Sequence, residues 1–325
     1  MVRFVAISVI VGVAVLLLQA CGEQAGDTTG EAGAKTWTVA VIPKGNSHEF
    51  WQSVKAGAAK ADAELADISV DFKGPATEND LTQQKELFEL NLTKGVDAVA
   101  IAPVDGSALG AVIDSAKGQG IPVVVFDSST TAETYASFIA TDNYAAGRKA
   151  GEEMVRRLGE SGKVVVLRYK VGSASTEKRE QGFLDVIGEH PGITVISDDQ
   201  EGAGKEKEVS QNLLLKFGDQ ATGVYTPNES TTTGMMLAMR ESGAYAKGVV
   251  HVGFDSTSEI VTSIQDGEIA AVVVQNPVQM GYLTVTIMHD ILSGKPVEKT
   301  VDTGSELVTR ESLEKPEIRS LLGIK

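Results

Sequence analysis

Short apolar runs rich in β-branched residues alternate along this chain with longer stretches whose apolar positions recur at helical spacing. Thr38 to Ile42, Ile68 to Phe72, Ala98 to Ala102 and Val123 to Phe126 read as strands bounded by polar or Gly-containing turns. Strands separated by helical segments predict βαβ units and a parallel sheet. The pattern restarts after residue 160, with Val164 to Leu167, Thr194 to Ile196, Gly223 to Thr226, Val249 to Gly253 and Ala270 to Val274 again strand-like. The fold class is therefore α/β, and two doubly wound parallel-sheet domains are the economical reading.

An internal echo supports the duplication. "GVDAVAIAPVD" is followed by "GQGIPVVVFDSS" in the first half, and "GDQATGVYTPNES" by "AKGVVHVGFDST" in the second. Each half has a strand running into a polar turn that contains proline, then a strand running into Phe-Asp. Ligands of parallel α/β sheets bind at the carboxyl ends of the strands, so Asp127 and Asp255 should both project toward a crevice. If two lobes face each other, so do these acids.

The amino terminus follows a different pattern. Arg3 precedes an apolar run over residues 4 to 18, which ends at Leu18-Gln19-Ala20-Cys21. Residues 1–20 read as an export signal, and a small residue before Cys21 resembles the bacterial lipobox, which implies cleavage there and lipidation of Cys21. Residues 21–35 are rich in Gly, Ala, Thr and Glu and read as a flexible tether with a span on the order of 20 Å. The expected location is exported, periplasmic or cell-surface, with membrane attachment only through the lipid. Cys21 is the only cysteine, so the exported part has no disulfide framework.

Composition narrows the function. The formal net charge of -15 and the lack of a basic stripe exclude a nucleic-acid partner. His48-Glu49 begins like a zincin helix, but position 52 is Gln, and the four histidines form no cluster, so no metal is expected. No G-x-G-x-x-G follows a strand, "GESGKV" lacks the spacing of a phosphate loop, and no G-x-S-x-G elbow is present. No cofactor is expected.

Seven segments, in this order and spacing, carry a resemblance over most of the chain: "HEFW", "GIPVVVFD", "FIATDNYAAGRKAGE", "EKREQGF", "YTPNES", "HVGFDST" and "IAAVVVQNPVQMGY". The sequence resembles the ribose-binding-like periplasmic solute-binding proteins of sugar ABC importers. The resemblance implies two Rossmann-like lobes joined by a three-segment hinge, with crossings near Ala140 to Asp142, Gln275 to Pro277 and Asp302 to Gly304, and a ligand cleft between. The lobes are expected at residues 36–141 plus 276–303 and at residues 142–275 plus 304–325.

The same resemblance implies the ligand set. Phe50 and Trp51 match positions where aromatics sandwich a sugar ring, and in a chain with only 5% aromatic residues their adjacency is unusual. Asp127, Arg179, Asn228, Asp255 and Gln275 match polar ligand contacts, although Asp and Asn at such junctions also serve as caps. The chain departs from ribose-type sites at His48, where Asn is usual, and at Ser128, where Arg is usual. A further departure is the "DDQEGAG" stretch, which carries no aromatic. Lys44 is a further candidate contact for a hydroxyl or an anionic substituent.

The expected function is capture of a monosaccharide or polyol by a monomeric, non-enzymatic binding protein that delivers it to an ABC permease. A receptor that hands a sugar-like signal to a membrane sensor or chemoreceptor is the alternative. A glycosidase-like role for the Asp127 and Asp255 pair is disfavoured, because two acids facing a sugar are equally what binding requires.

Overall fold

The apolar runs form the strands, and their burial on both faces explains why they lack polar alternation. The structure is a computed structural model that describes residues 36–159 and 161–324. The expected export signal, the Cys21 lipidation site and the tether lie outside the described residues.

The first sheet is built from β1 (Trp37–Ile42), β2 (Ile68–Phe72), β3 (Ala98–Ile101), β4 (Val123–Phe126) and β5 (Ser137–Ala140). Between them run α1 (Glu49–Glu64), α2 (Leu81–Lys94) and α3 (Gly110–Ser115). The chain then enters a second α/β unit through α4 (Asn143–Leu158), β6 (Gly162–Arg168), α5 (Ala174–Gly188), β7 (Ile193–Glu201) and α6 (Glu206–Phe217). It continues through β8 (Gly223–Tyr225), α7 (Glu229–Ser242), β9 (Val250–Phe254), α8 (Ser258–Asp266) and β10 (Ala271–Gln275). Next, α9 (Pro277–Leu292) and β11 (Thr300–Asp302) return to the first unit, and β12 (Ser305–Thr309) and α10 (Pro316–Leu321) go back to the second.

The strand order is β11-β5-β4-β3-β1-β2 in one sheet and β12-β10-β9-β8-β6-β7 in the other. All pairings are parallel except β10 with β12. Three segments therefore cross between the sheets, from Ala140 to Asn143, from Gln275 to Pro277 and from Asp302 to Ser305.

Three strands are absent from the sequence reading: β5, β11 and β12. They are short, two of them lie at sheet edges, and Thr300–Asp302 and Ser305–Thr309 carry too many polar residues to stand out by apolar pattern. β7 runs to Glu201, well past the apolar Ile196, because its outer end lies on a sheet edge with polar, mostly exposed side chains. Its register against β6 shifts twice, at Val164/Val165 and Val165/Leu167.

Each sheet is sandwiched between helices, with apolar clusters on both faces. The two units repeat one packing device. A Cβ on Gly57 of α1 would lie 1.9 Å from the Val278 carbonyl oxygen, and one on Gly281 of α9 would lie 1.9 Å from that of Val54. In the second unit a Cβ on Gly147 of α4 would meet the Arg179 carbonyl oxygen at 2.1 Å, and one on Gly182 of α5 that of Tyr144 at 2.2 Å. Each helix pair thus touches backbone to backbone through a reciprocal pair of glycines.

Gly281→Ala should force α1 and α9 apart, at a cost of about 1–3 kcal/mol, and lower the melting temperature by several degrees. A thermal melt indistinguishable from that of the parent protein would show that the helices do not approach so closely.

Candidate functional site

Strand β4 ends in Phe126 and strand β9 in Phe254, and in both cases the next residue is the aspartate of the sequence echo. Asp127 and Asp255 have φ angles of 59° and 66°, the only positive φ values of non-glycine residues among those described. Asp tolerates this left-handed region better than most residues, and the turn it makes breaks the strand so that the carboxylate leaves the sheet edge. The correspondence extends to single hydrogen bonds. The Asp127 amide donates to the Ile139 carbonyl of β5 (2.9 Å), and the Asp255 amide to the Val273 carbonyl of β10 (2.8 Å).

Both acids border one small cavity between the sheets. Its walls also include Lys44, His48, Phe50, Trp51, Arg179, Asn228 and Gln275. Nine of the ten ligand-contact candidates named from sequence therefore converge. Ser128 is the exception: it is buried outside the cavity lining, where its Oγ accepts a hydrogen bond from the amide of the lining residue Ser175 (3.1 Å). Four lining residues were not anticipated: Glu78, Ser175, Thr176 and Glu229. Glu78 sits in the polar turn "PATEND" after β2, and Glu229 reads as an ordinary acidic first residue of a helix. Neither carries a strand-end signature.

Both residues of the aromatic pair line the cavity. Phe50 and Trp51 are perpendicular, with ring centroids 4.8 Å apart, and Trp51 packs edge-on to Phe126 at 6.2 Å. Consecutive helical residues diverge by about 100°, so two neighbours on α1 cannot stack in parallel. Trp51 is 1% exposed and belongs to the core as well as to the cavity wall.

The polar groups are densely connected. Lys44 Nζ lies 3.1 Å from Asp127 Oδ2 and donates to Ser175 Oγ (2.9 Å) and Ser173 Oγ (3.3 Å) on the opposite side of the cleft. Arg179 donates through Nε to Asn143 Oδ1 (2.7 Å) and through Nη1 to the Pro227 carbonyl (3.0 Å), and its guanidinium covers the Phe254 ring at 3.9 Å. Nη1 also approaches Asp255 at 3.8 Å. Gln275 Nε2 donates to Asp255 Oδ1 (2.8 Å), while Oδ2 accepts from the Glu229 amide (3.0 Å). Asn228 serves α7 as an N-cap, with Oδ1 accepting from the amide and the hydroxyl of Thr231.

Three atoms on this wall remain buried without a hydrogen-bond partner: Asp127 Oδ2, Arg179 Nη2 and Gln275 Oε1. The Lys44 contact to Asp127 is close enough for an ion pair but misaligned for a hydrogen bond. Orphaned polar atoms are costly in a protein interior. An unpartnered donor on Arg179, an unpartnered acceptor on Gln275 and an Asp127 oxygen held only by the Lys44 ion pair belong to residues lining one cavity, and the hydroxyl groups of a ligand would satisfy them. The cavity measures about 20 Å³, room for about one water. A larger cleft of about 390 Å³ adjoins it on the hinge side and shares Phe50, Asp255 and Gln275, but the buried charges gather around the smaller space.

Burial and pairing set the protonation states. Burial alone would lower the His48 pKa, but the charge and hydrogen bond of Glu78 (2.8 Å), with Glu229 and Asp255 nearby, outweigh it and raise the value to about 9. Burial would raise Glu78, yet His48, Lys44 and the Trp51 indole bring it down to about 2. Burial raises Glu229 to about 7 against the pull of His48 and two backbone amides. It also raises Asp255, although Arg179 and Gln275 oppose the shift. His251, enclosed in the second unit between Thr226 and Tyr245, is pushed down to about 3 by burial alone.

The profile of the periplasmic binding protein domain matches residues 39–296. The ribose import binding protein of Bacillus subtilis is 29% identical over 94% of this chain and 99% of its own length. An ABC transporter solute-binding protein from Agrobacterium vitis, solved with bound D-fucose, is 32% identical with a TM-score of 0.83, covering 88% of this chain and 99% of that one. A carbohydrate transporter solute-binding protein from Agrobacterium radiobacter, solved with D-arabinose, is 30% identical at the same TM-score, again over 88% and 99%. The chain belongs to the periplasmic binding protein family and is a ribose-binding-protein-like member of it.

The His48 and Glu78 pair predicts a pH signature. His48 stabilises the fold fully below its unfolded pKa near 6.5 and loses that contribution as pH rises through about 9. Glu78 contributes above about 4.5 and loses its contribution as pH falls through about 2. His48→Gln should therefore destabilise more at pH 6 than at pH 10. In an NMR titration, one imidazole should titrate near 9 and another near 3. Four imidazoles all titrating close to 6.5 would refute this electrostatic account.

Proposed function

We propose that the protein is an extracytoplasmic binding lipoprotein, anchored through Cys21, that captures a neutral monosaccharide or related polyol and delivers it to an ABC importer. The observation that carries this reading is the unpartnered donor on Arg179 and acceptor on Gln275, beside the Asp127 carboxylate, among residues lining one cavity. A sugar offers alternating donors and acceptors around its edge and C–H faces for the Phe50 ring, which suits this mixture of fixed polar groups and an aromatic wall.

The charge of the wall supports a neutral ligand. Three cationic side chains (Lys44, His48, Arg179) face four carboxyl groups (Glu78, Asp127, Glu229, Asp255). The cations are matched by acids within the site, so no positive charge is left over for a carboxylate or phosphate substituent. Lys44 in particular is held by Asp127 and two serine hydroxyls. We read the acids as binding groups and not catalysts, because both Asp255 oxygens already accept protein hydrogen bonds.

A cavity of about 20 Å³ cannot admit a sugar unless the walls separate. The three crossing segments between the sheets supply a hinge for that motion. We take residues 36–141 plus 276–303 and residues 142–275 plus 304–325 as the two moving lobes. Closure around a ligand gives a permease an occupied form to distinguish from the empty one. No described helix is long and apolar enough to cross a membrane.

The test is a thermal-shift screen against D-ribose, D-allose, D-arabinose, D-fucose, xylitol, myo-inositol and the corresponding sugar acids. Binding at a hundred times Kd adds about 2.7 kcal/mol, a shift of several degrees. Stereoselective shifts with neutral compounds and none with the acids are expected. Shifts with sugar acids alone, or with no compound, would overturn the reading.

A further inference from the structure

Helix α1 starts without a cap of its own. Its N-cap position is His48, whose side chain makes no capping hydrogen bond, and the first amides of any helix have no intrahelical acceptor. Two of them point across the cleft. The Glu49 amide donates to Glu229 Oε1 (3.1 Å) and the Phe50 amide to Glu229 Oε2 (2.8 Å). Both oxygens of one carboxylate on the second sheet's side are thus spent on the helix that carries the aromatic wall of the first. The position is favourable for a further reason, since an anion at a helix N-terminus is stabilised by the helix dipole.

Glu229 is itself anchored. It is 7% exposed, its own amide is held by Asp255 Oδ2 (3.0 Å), and the other oxygen of that acid accepts from Gln275 at the hinge crossing. A continuous hydrogen-bonded path therefore runs from Gln275 through Asp255 and Glu229 to Phe50. Every contact on the path except the last lies within the second lobe or its hinge. The last one joins the lobes.

From this geometry we infer that Glu229 is a positioning residue, supplying in trans the N-terminal cap that α1 lacks, so that the second lobe fixes Phe50 over the site as the cleft closes. The inference rests on the binding reading above for its purpose. Its geometry is independent of which compound binds. In the open form the Glu49 and Phe50 amides turn to water and Glu229 is released. In the closed form both are sequestered.

The test is per-amide hydrogen exchange of the protein, measured alone and with each neutral compound of the screening panel, in the parent and in Glu229→Ala and Glu229→Gln. Protection at Glu49 and Phe50 requires an acceptor from outside α1, so it reports the contact directly. Exchange at these two amides should rise at least tenfold in Glu229→Ala. Val54, whose amide bonds within the helix, should be unchanged. Glu229→Gln should fall between the two, since a carboxamide oxygen still accepts. For any panel compound the parent binds, affinity should drop at least tenfold in Glu229→Ala. Equal exchange at Glu49 and Phe50 in the parent and in Glu229→Ala under every condition would overturn the role of Glu229. A panel without any binder would instead remove the sugar reading and leave the exchange result standing.

Discussion

Charged groups can be buried between two lobes only if each finds a partner there, and this constraint shapes the centre of the molecule. Lys44, Arg179, Asp127, Asp255 and Glu229 are each less than a tenth exposed. An isolated buried charge costs several kcal/mol, so each lobe pairs its own charges, Lys44 with Asp127 in the first and Arg179 near Asp255 in the second, and polar contacts join the two across the seam. Lys44 pairs with Asp127 within the first lobe and reaches across the seam to Ser173 and Ser175, and Glu229 reaches back from the second lobe to the first amides of α1. In the proposed function closure and recognition would use the same residues, because the groups that tie the lobes together also wall the cavity.

The two lobes are variations on one plan, and the plan explains where the site falls. In both, a parallel strand ends at an aspartate in the left-handed region whose amide bonds to the neighbouring strand. In both, a pair of helices is brought together by reciprocal glycines. Gly147 lets α4 sit against the backbone of Arg179, which sets the height at which that side chain reaches the cavity. Apposed lobes of this kind place their strand ends, and so their acids, on either side of one cleft.

Much of this was legible in the sequence. Strands whose β-branched runs are buried on both faces stand out by pattern, and the Phe-Asp echo marks Asp127 and Asp255. What failed to show were contacts with no local signature. Edge strands β11 and β12 carry polar residues and have no apolar run to reveal them. Glu78 becomes a site residue only because the turn after β2 folds back on His48 and Trp51. Glu229 looks like a routine helix-start acid until the partner helix is seen to lack a cap. Ser128 lies one residue behind the cavity lining, where its hydroxyl supports the lining residue Ser175.

In the proposed function two half-sites on separate lobes join around one ligand by hinge motion. Small-angle X-ray scattering of the protein, alone and saturated with a neutral sugar or polyol that raises its melting temperature, tests this most directly. A decrease in the radius of gyration on saturation is the result expected of lobes that part to admit a ligand and close over it. An identical scattering profile with a compound shown to bind would mean that the lobes are held in one position, and the account of binding by closure would be wrong.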